Sequence, residues 1–303
     1  MRAIVFITFL VCTLAVALND ITKDALQKNL EFRVYSNNIR YASNPDKRLP
    51  GELPWDERKE GAIKAIQDEI SSYPILIGIQ EALNNQLLDI INGLNQVSNN
   101  WRFYGVGRDD GETAGEYSAI IYNSNDWNLL NGTYKWLSQT PDVPSKYPGA
   151  ATKRIVTIAT FEHVQSGVKV NFLNTHLDQK SQEAREFSTE LISSYIESIP
   201  NDYPTFLSGD FNSKSTDVAY KTIAELLKDS ATVSYATYND NLHTYSGFSG
   251  PQGDNIDFIW SPNNTNSVGG VTAYSHIIID NLYNGTSRFS DYRPVLAHYE
   301  IKY

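Results

Sequence analysis

The segment from Leu207 to Ser213 places a carboxylate and an amide at the end of an apolar run. Side chains alternate between the two faces of a β-strand, so Asp210 and Asn212 are expected to point the same way. Burying two polar groups side by side costs free energy unless each has a partner. The pattern therefore predicts a strand end at which both side chains meet a ligand.

Four other segments have the same character, because each puts polar side chains at the start or end of an apolar run. They contribute Glu81, Asn174, His176, Asp178, Asp257 and Asp291. Hard divalent cations such as Mg²⁺ prefer oxygen ligands. The five segments together predict one cleft lined with oxygen ligands, a pattern typical of metal-dependent phosphoesterases.

The elements that would position these residues alternate between strands and scattered helices. Strand-like runs, rich in Val, Ile, Tyr and Phe, are predicted at 32–39, 74–80, 117–122, 154–164, 169–176, 204–208, 256–260, 271–279 and 294–301. Helical periodicity predicts helices at 56–71, 84–97, 181–199 and 217–227, with Ser181 as a helix N-cap. Many strands with few helices favour two stacked sheets with helices outside and strand ends gathered at one mouth.

Residues 1–17 are predicted to be a secretory signal peptide. Arg2 precedes an apolar stretch, and Ala15-Val16-Ala17 forms a small-residue cleavage site. The apolar stretch is shorter than the ~20 residues that a membrane span needs, so a membrane anchor is the weaker alternative. We expect a secreted product that does not insert into a membrane.

The mature chain, residues 18–303, is expected to form a single domain without disulfides, because the only cysteine is Cys12. A domain of this size buries roughly three-quarters of its unfolded surface, which is enough to stabilise it by its core alone. Asn131, Asn263 and Asn284 begin N-glycosylation sequons, as a eukaryotic secretory route would allow.

The chain is acidic, with a formal net charge of −10 that becomes −11 once Arg2 is removed. This charge argues against tight, non-specific binding to long nucleic acid, which depends on many Lys and Arg contacts to phosphate. It does not exclude a nuclease, because a bound divalent cation can supply local positive charge.

Ten short motifs follow one another in a recognisable order between about residues 31 and 302. They are Asn38-Ile-Arg-Tyr, Trp55-Asp-Glu-Arg, Gln80-Glu-Ala, Gly107-Arg-Asp-Asp-Gly, Gly115-Glu-Tyr, Trp136-Leu-Ser, Asn174-Thr-His-Leu-Asp, Gly209-Asp-Phe-Asn, Ile256-Asp-Phe-Ile and Ser290-Asp-Tyr-Arg-Pro-Val. In this order they resemble the endonuclease/exonuclease/phosphatase superfamily, which includes deoxyribonuclease I, abasic-site endonucleases, deadenylases, sphingomyelinases and inositol phosphatases. The likeness is to a secreted or bacterial-type branch whose substrate is generally not assigned.

The resemblance implies an α+β fold, a four-layer α/β/β/α sandwich of two mostly antiparallel sheets with outer helices. It also implies a metal site for Mg²⁺ or Mn²⁺, with Glu81 as the principal ligand and with Asn38 and Asp291 near the metal and the phosphate. Mg²⁺ keeps several waters, so one or two carboxylates suffice.

The same resemblance assigns roles around the phosphate. Asp210 and Asn212 would position the attacking water and the phosphate, and His176 would contact a phosphate oxygen, held by Glu116 in the suitable tautomer. Arg154 and Asn174 would face the phosphate. Asp257 would orient the catalytic histidine.

That histidine is replaced by Tyr292, because the family pattern Ser-Asp-His reads Ser-Asp-Tyr here. A histidine with a pKa near 6.5 is suited to accept a proton at neutral pH, whereas a phenol near 10 is not. Three smaller departures, Gln179, Ser246 and Asn255, stand where the branch often has His, His and Arg. The carboxylates of the metal site are all retained.

Two functions therefore remain open at this stage. One is a secreted, metal-dependent phosphoesterase, nuclease-like and slowed by Tyr292; the other is a catalytically silent protein that binds phosphorylated or glycan ligands. The substrate class is open among nucleic acid, nucleotides, phospholipid head groups and inositol phosphates. We expect a monomer whose specificity is set by the loops 105–116, 137–153 and 238–254.

Overall fold

The computed structural model describes residues 28–70, 73–249 and 253–303. The predicted signal peptide, residues 1–17, lies outside the described residues. Two large sheets stack face to face and carry helices on their outer faces. This is the predicted α+β sandwich, and its four α/β/β/α layers are confirmed.

The first sheet has seven strands in the order β10-β12-β15-β1-β2-β4-β3. Its strands are β1 (Asn29–Asn38), β2 (Ile75–Gln80), β3 (Trp101–Tyr104), β4 (Ser118–Asn123), β10 (Ala236–Tyr238), β12 (Val271–Ile278) and β15 (Val295–Lys302). Parallel pairing joins β1 to β2 and β10 to β12, and the other pairs are antiparallel.

The second sheet has six strands in the order β5-β6-β7-β8-β11-β9. Its strands are β5 (Trp127–Trp136), β6 (Ile155–His163), β7 (Lys169–His176), β8 (Thr205–Asp210), β9 (Lys228–Asp229) and β11 (Asp257–Ser261). Only β7 and β8 pair in parallel among these described strands. A short hairpin of β13 (Leu282–Tyr283) and β14 (Ser287–Arg288) stands apart.

Five helices lie in the part of the chain that the structure describes. They are α1 (Trp55–Gln67), α2 (Asn84–Val97), α3 (Gln182–Ser198), α4 (Val218–Leu226) and the one-turn α5 (Ser230–Val233). The predicted cap is confirmed, because the Ser181 hydroxyl accepts a hydrogen bond from the Ala184 amide at the start of α3. Of these helices, none combines the length and hydrophobicity needed to span a membrane.

Three apolar layers hold the sandwich together. The sheets meet over aromatic side chains such as Phe32, Phe206 and Tyr299, which pack edge to face or tilted. The outer face of the first sheet packs on α1 and α2, and that of the second sheet packs on α3 and α4. Each large side chain buried in this way contributes about 1.5–3 kcal/mol.

One polar contact joins the two sheets near the end of the sandwich. Asn174 on β7 donates to the carbonyls of Ile79 and Ala119 and accepts from the Gln80 amide and the Ser208 hydroxyl. The sheets approach so closely here that a Cβ at Gly78 would lie 2.1 Å from the Ser208 hydroxyl oxygen. This contact fixes the spacing of the sheets just below the ends of their strands.

Strand order decides which polar residues meet at that end. In the second sheet, His176 pairs with Asp210 across β7 and β8, and Asp210 pairs with Asp257 across β8 and β11. In the first sheet, Asn38 ends β1 and Glu81 follows β2, while Asp291 lies shortly before β15. Because β11 faces β15 and β1, and β7 faces β2, the two rows lie opposite each other.

Candidate active site

A cleft of about 630 Å³ opens between the two rows of strand ends. Its wall includes Glu81, Glu116, Arg154, His176, Asn212, Asp291 and Tyr292, and also Arg40, Tyr41, Arg108, Gln179 and Tyr245. The sequence predicts a functional role for the first seven of these residues. Asn38, Asp210 and Asp257 lie buried directly behind the cleft wall.

Asn38 links the two sheets at the floor of the cleft. Its amide nitrogen donates to Glu81 Oε1 at 2.9 Å and to Asp210 Oδ2 at 3.0 Å, and its oxygen accepts from the Arg40 amide. The Tyr41 amide donates to the other Glu81 oxygen at 3.2 Å. Donors on both oxygens hold the Glu81 carboxylate in one orientation, with its remaining lone pairs free for a ligand.

Three residues of the site have left-handed backbone conformations that side chains rarely adopt. They are Arg40 with φ of 58°, Glu81 with φ of 63° and Asn212 with φ of 47°. Such conformations cost about 1–3 kcal/mol each and persist where the surrounding structure enforces them, commonly at functional sites. In this protein they turn the chain sharply after β1, β2 and β8, and so direct the side chains into the cleft.

His176 is held neutral in a defined tautomer. The Asn212 side-chain amide lies 3.0 Å from His176 Nε2 and, as a donor, requires that nitrogen to accept. The Asn212 main-chain amide donates to Asp210 Oδ1 at 2.8 Å. Burial, then the charges of Arg154 and Arg108, lower the His176 pKa well below its ordinary value. The ring proton is therefore assigned to Nδ1.

The side of the cleft formed by β8, β11 and β15 has more carboxylate oxygens than donors, and we call it the acceptor side: Asp210, Asp257 and Asp291, with Glu81, 3.8 Å from Arg40, beside them. Neither oxygen of Asp257 and one oxygen of Asp291 finds a hydrogen-bond partner among the described residues, although both side chains are buried. Unpartnered buried carboxylates are costly. A divalent cation coordinated here would offset that cost, so the residues fit a metal ion.

The pKa values of the acceptor side reflect this surplus of negative charge. Burial raises the Asp210 pKa to about 6, against hydrogen bonds from Asn38 and Asn212. Burial and the Glu81 charge raise the Asp291 pKa to about 7. Burial and the Asp210 charge raise the Asp257 pKa well above its ordinary 3.8. Without a cation, Asp291 is therefore partly protonated at neutral pH, whereas Asp210 is largely ionised there.

The opposite side of the cleft, near β4 and β6, has more N–H donors than acceptors, and we call it the donor side: Arg108, Arg154 and His176. Arg108 pairs with Glu116 at 2.5 Å, and Arg154 donates to Gln179. Burial, and then Glu81, raise the Glu116 pKa to about 7. The four nitrogens Arg108 Nε, Arg154 Nε, Arg154 Nη1 and His176 Nδ1 are buried without a partner in the described part of the chain.

Solved structures with the same architecture include proteins of one named family. A family protein from Bacteroides thetaiotaomicron is 26% identical with a TM-score of 0.80, covering 90% of this chain and 99% of its own. Another, from Bacteroides vulgatus, is 30% identical with a TM-score of 0.76, covering 89% and 99%. The chain belongs to the endonuclease/exonuclease/phosphatase family. The resemblance seen in the sequence is thereby confirmed.

A third solved member of the family, also from Bacteroides thetaiotaomicron, is described as a mannosyl-6-phosphatase. It is 26% identical, with a TM-score of 0.76, and the match covers 88% of this chain and 98% of that one. No protein-family model matches the chain, and neither does any curated protein.

Two groups of side chains around Glu81 are candidate sites for a cation. Ligand atoms of Glu81, Glu116 and His176 lie within 4.8 Å of one another. However, Arg108 and Arg154 lie beside His176 and would repel a cation there, whereas the acceptor side has unpartnered oxygens. We favour the acceptor side, around Glu81 and Asp291, which also matches the preference of Mg²⁺ for oxygen.

The structure corrects two predicted assignments. Asn174 was expected to face the substrate, but it is fully buried and all its hydrogen-bonding capacity is used between the sheets. It lies one pleat below His176 on the same strand face, so it supports the site from beneath. Glu116 was expected to hold His176, but it accepts a hydrogen bond from Arg108, and the side chain that contacts His176 Nε2 is instead Asn212.

Tyr292 lines the cleft at the position where the family pattern has histidine. Its ring packs against Tyr245 with the ring centroids 5.0 Å apart. Burial, and then the charge of Asp210, raise the Tyr292 pKa well above 10. The phenol therefore stays protonated and is poorly suited to act as a base.

Sequence reasoning missed the buried arginine that fixes the loop beneath Glu81. Arg58 of α1 donates to the carbonyls of Ile39, Arg40 and Phe289, and so ties the chain after β1 to the segment that carries Asp291. Its motif, Trp55-Asp-Glu-Arg, was noted only as part of the resemblance. A charged residue within an amphipathic helix gives no sign of being buried until its partners are known.

The electrostatics of the acceptor side predict how stability depends on pH and cations. Carboxyls with raised pKa bind protons more tightly when folded, so their contribution is full below about pH 4 and is lost as the pH rises through 6 and 7. A bound divalent cation replaces those protons. We therefore expect 10 mM Mg²⁺, relative to EDTA, to raise the unfolding temperature by about 5–10 °C at pH 8 and by less than about 2 °C at pH 5.

Differential scanning calorimetry measures both shifts, with KCl at matched ionic strength as the control. Asp291→Asn removes one raised carboxyl and should reduce the shift at pH 8. An equal stabilisation at both pH values, or none at either, would contradict this account of the acceptor side.

Proposed function

We propose that this chain is a secreted, divalent-metal-dependent hydrolase of phosphate esters. One observation carries the proposal, namely that unpartnered carboxylate oxygens lie on or directly behind one side of the cleft and unpartnered N–H donors lie on the other side. A metal ion and a phosphate held side by side would satisfy both sets at once. Membership of a family named for nucleases and phosphatases agrees with this chemistry.

Mg²⁺ or Mn²⁺ would be held by Glu81, with Asn38 and Asp291 near it. When bound, such an ion polarises a phosphoryl oxygen and stabilises negative charge on the departing alkoxide. Asn38 keeps the Glu81 carboxylate oriented through its 2.9 Å hydrogen bond. The loop pinned by Arg58 keeps Asp291 at the same end of the cleft.

Asp210 would orient the attacking water and accept its proton. Its pKa of about 6 is close to the working range of a general base at neutral pH. Asn212 and His176 would hold the phosphate from the neighbouring strand ends, and Tyr292 would donate its phenolic proton in a hydrogen bond to a phosphate oxygen. Asp257, buried behind Asp210, has lost the histidine it would otherwise orient and supplies a second acceptor beside the metal.

The candidate substrates follow from the fold and from the relatives. Nucleic acid, nucleotides, phospholipid head groups and inositol phosphates remain candidates, and the name of one relative adds sugar phosphates. Secretion is proposed because the first 17 residues contain Arg2, an apolar stretch and the small-residue cleavage site Ala15-Val16-Ala17, as a signal peptide does. The sequon residues Asn131, Asn263 and Asn284 are all exposed, as glycan acceptors must be.

The direct test is hydrolysis of 4-nitrophenyl phosphate esters by the purified protein with Mg²⁺ or Mn²⁺. We expect turnover that EDTA abolishes and that Glu81→Gln lowers at least 100-fold, because the metal would lose its oriented carboxylate. Glu190→Gln, which removes an exposed carboxylate from α3, is the matched control and should change little. No turnover at any pH by the folded protein would sink the proposal.

The alternative is a catalytically silent protein that binds phosphorylated or glycan ligands, and Tyr292 is the observation that favours it. The other departures leave no gap, since Gln179 accepts from Arg154, Ser246 donates to the Asp291 carbonyl, and Asn255 accepts from the Thr244 amide. The cleft is therefore intact apart from its missing base.

Tyr292→His separates the two functions. If the cleft lacks only a base, a histidine next to Asp257 should raise kcat by about 10- to 100-fold near neutral pH. This gain reaches the lower limit of what a well-positioned general base usually contributes. Tyr292→Phe controls for loss of the phenol and should lower kcat if the hydroxyl donates to phosphate. Steady-state kinetics at pH 6 to 9 measure both. No gain with histidine, together with no wild-type turnover, would favour the silent protein.

A further inference from the structure

The donor side of the cleft contains more unpartnered N–H groups than a single phosphate contact needs. Arg154 is only 5% exposed, and its Nε and Nη1 atoms have no hydrogen-bond partner within the described residues. The one carboxylate there within 4 Å of it is Asp178, at 3.9 Å. A buried guanidinium without a close counter-ion is unstable unless an anion completes it.

Asp178 is not available to neutralise Arg154 more closely. Its oxygens accept from the backbone amides of Ala151, Thr152, Lys180 and Ser181. Arg108, 8% exposed, is paired with Glu116 but keeps its Nε unpartnered, and it adds a second positive charge beside Arg154. The Glu116 and Asp178 carboxylates balance the two guanidinium charges, but Arg108, Arg154 and His176 keep unpartnered nitrogens and so form a donor-rich corner.

The corner formed by Arg108, Arg154 and His176 is closed at its inner end. The space behind Arg108, Arg154 and His176, which Glu116, Tyr117, Ser118 and Ile155 close, has no room for a water molecule. The Arg108 segment is fixed from outside, because Trp136 Nε1 donates to the Arg108 carbonyl at 2.8 Å. Arg108, Arg154 and His176 also line the open cleft, so an anion would meet them from that side, and an alkyl group pointing into the corner would have nowhere to continue.

We propose that Arg108 and Arg154 form a terminal-phosphate subsite, so that the substrate is a phosphate monoester and not a diester. A monoester presents three unesterified oxygens and nearly two negative charges at pH 7, whereas a diester presents two such oxygens and one charge. The third oxygen meets the unpartnered N–H groups of the two guanidiniums, whose fork geometry suits phosphate. This inference rests on the proposed function and selects its substrate class.

The acidic surroundings support the same choice. The rim of the cleft carries Asp217 and Asp254, the latter paired with Lys214 at 2.8 Å, so its described residues form no continuous basic track away from the corner. A long nucleic acid backbone would need such a track for its neighbouring phosphates. A small molecule with one terminal phosphate needs only the corner itself.

The test compares matched probes that differ by one ester group. Calorimetry with Mg²⁺ at pH 8 should give at least tenfold tighter binding of methyl phosphate than of dimethyl phosphate. Arg108→Gln should bring this ratio within threefold, and Arg108→Lys, which keeps the charge but loses the fork, should give an intermediate ratio. Arg102→Gln, which removes an exposed arginine on β3, is the control and should leave the ratio unchanged.

Hydrolysis provides a second readout, with 4-nitrophenyl phosphate and methyl 4-nitrophenyl phosphate as monoester and diester with one leaving group. Arg108→Gln should lower kcat/KM at least tenfold for the monoester and less than threefold for the diester. Equal binding of the two alkyl phosphates by the wild type, or equal losses on both esters, would overturn the inference while leaving the hydrolase intact. Hydrolysis of neither ester, with the binding preference retained, would instead defeat the proposed function alone.

Discussion

The structure depends on one constraint, the order in which strand ends meet across two stacked sheets. Asp257 and Asp291 end up together because β11 faces β15, and Arg154 lies three strands away, before β6. This order separates unpartnered oxygens from unpartnered N–H groups across a single cleft. The separation gives the cleft one end suited to a cation and another suited to an anion.

Holding like charges together in this way opposes folding. Hydrogen bonds from the surrounding side chains offset that cost. Asn38 and Asn174 cross-link the sheets directly below the charged row, and Arg58 ties the loops on either side of it. The left-handed conformations of Glu81 and Asn212 show that local backbone preference has been overridden there. Stability and ligand binding are thus set by the same contacts.

Much of this arrangement was predictable because the strong signals are local. The helix at Asn84–Val97 and the strand at Lys169–His176 have the predicted bounds, since their apolar periodicity is unbroken. Strand β5 was missed because it lies at a sheet edge, alternates poorly and contains Asn131-Gly132 beside a register shift, which in the sequence indicates a turn.

The site was predictable as a set of residues but not as a set of partners. Strand-end carboxylates stand out in an apolar context, as Asp210 and Glu81 do, whereas the depth of a residue along its strand does not. Asn174 was therefore assigned to the cleft although it lies one pleat too deep. The pairing of Glu116 with Arg108 depends on a loop whose path no local pattern specifies.

The most direct test of the central claim is the position of the ion itself. Crystals soaked in Mn²⁺ and inorganic phosphate, measured by anomalous scattering, should show one strong peak beside Glu81 and Asp291, with phosphate between it and Arg154. A cation bound among Glu81, Glu116 and His176, or no ordered cation in the cleft, would contradict the account.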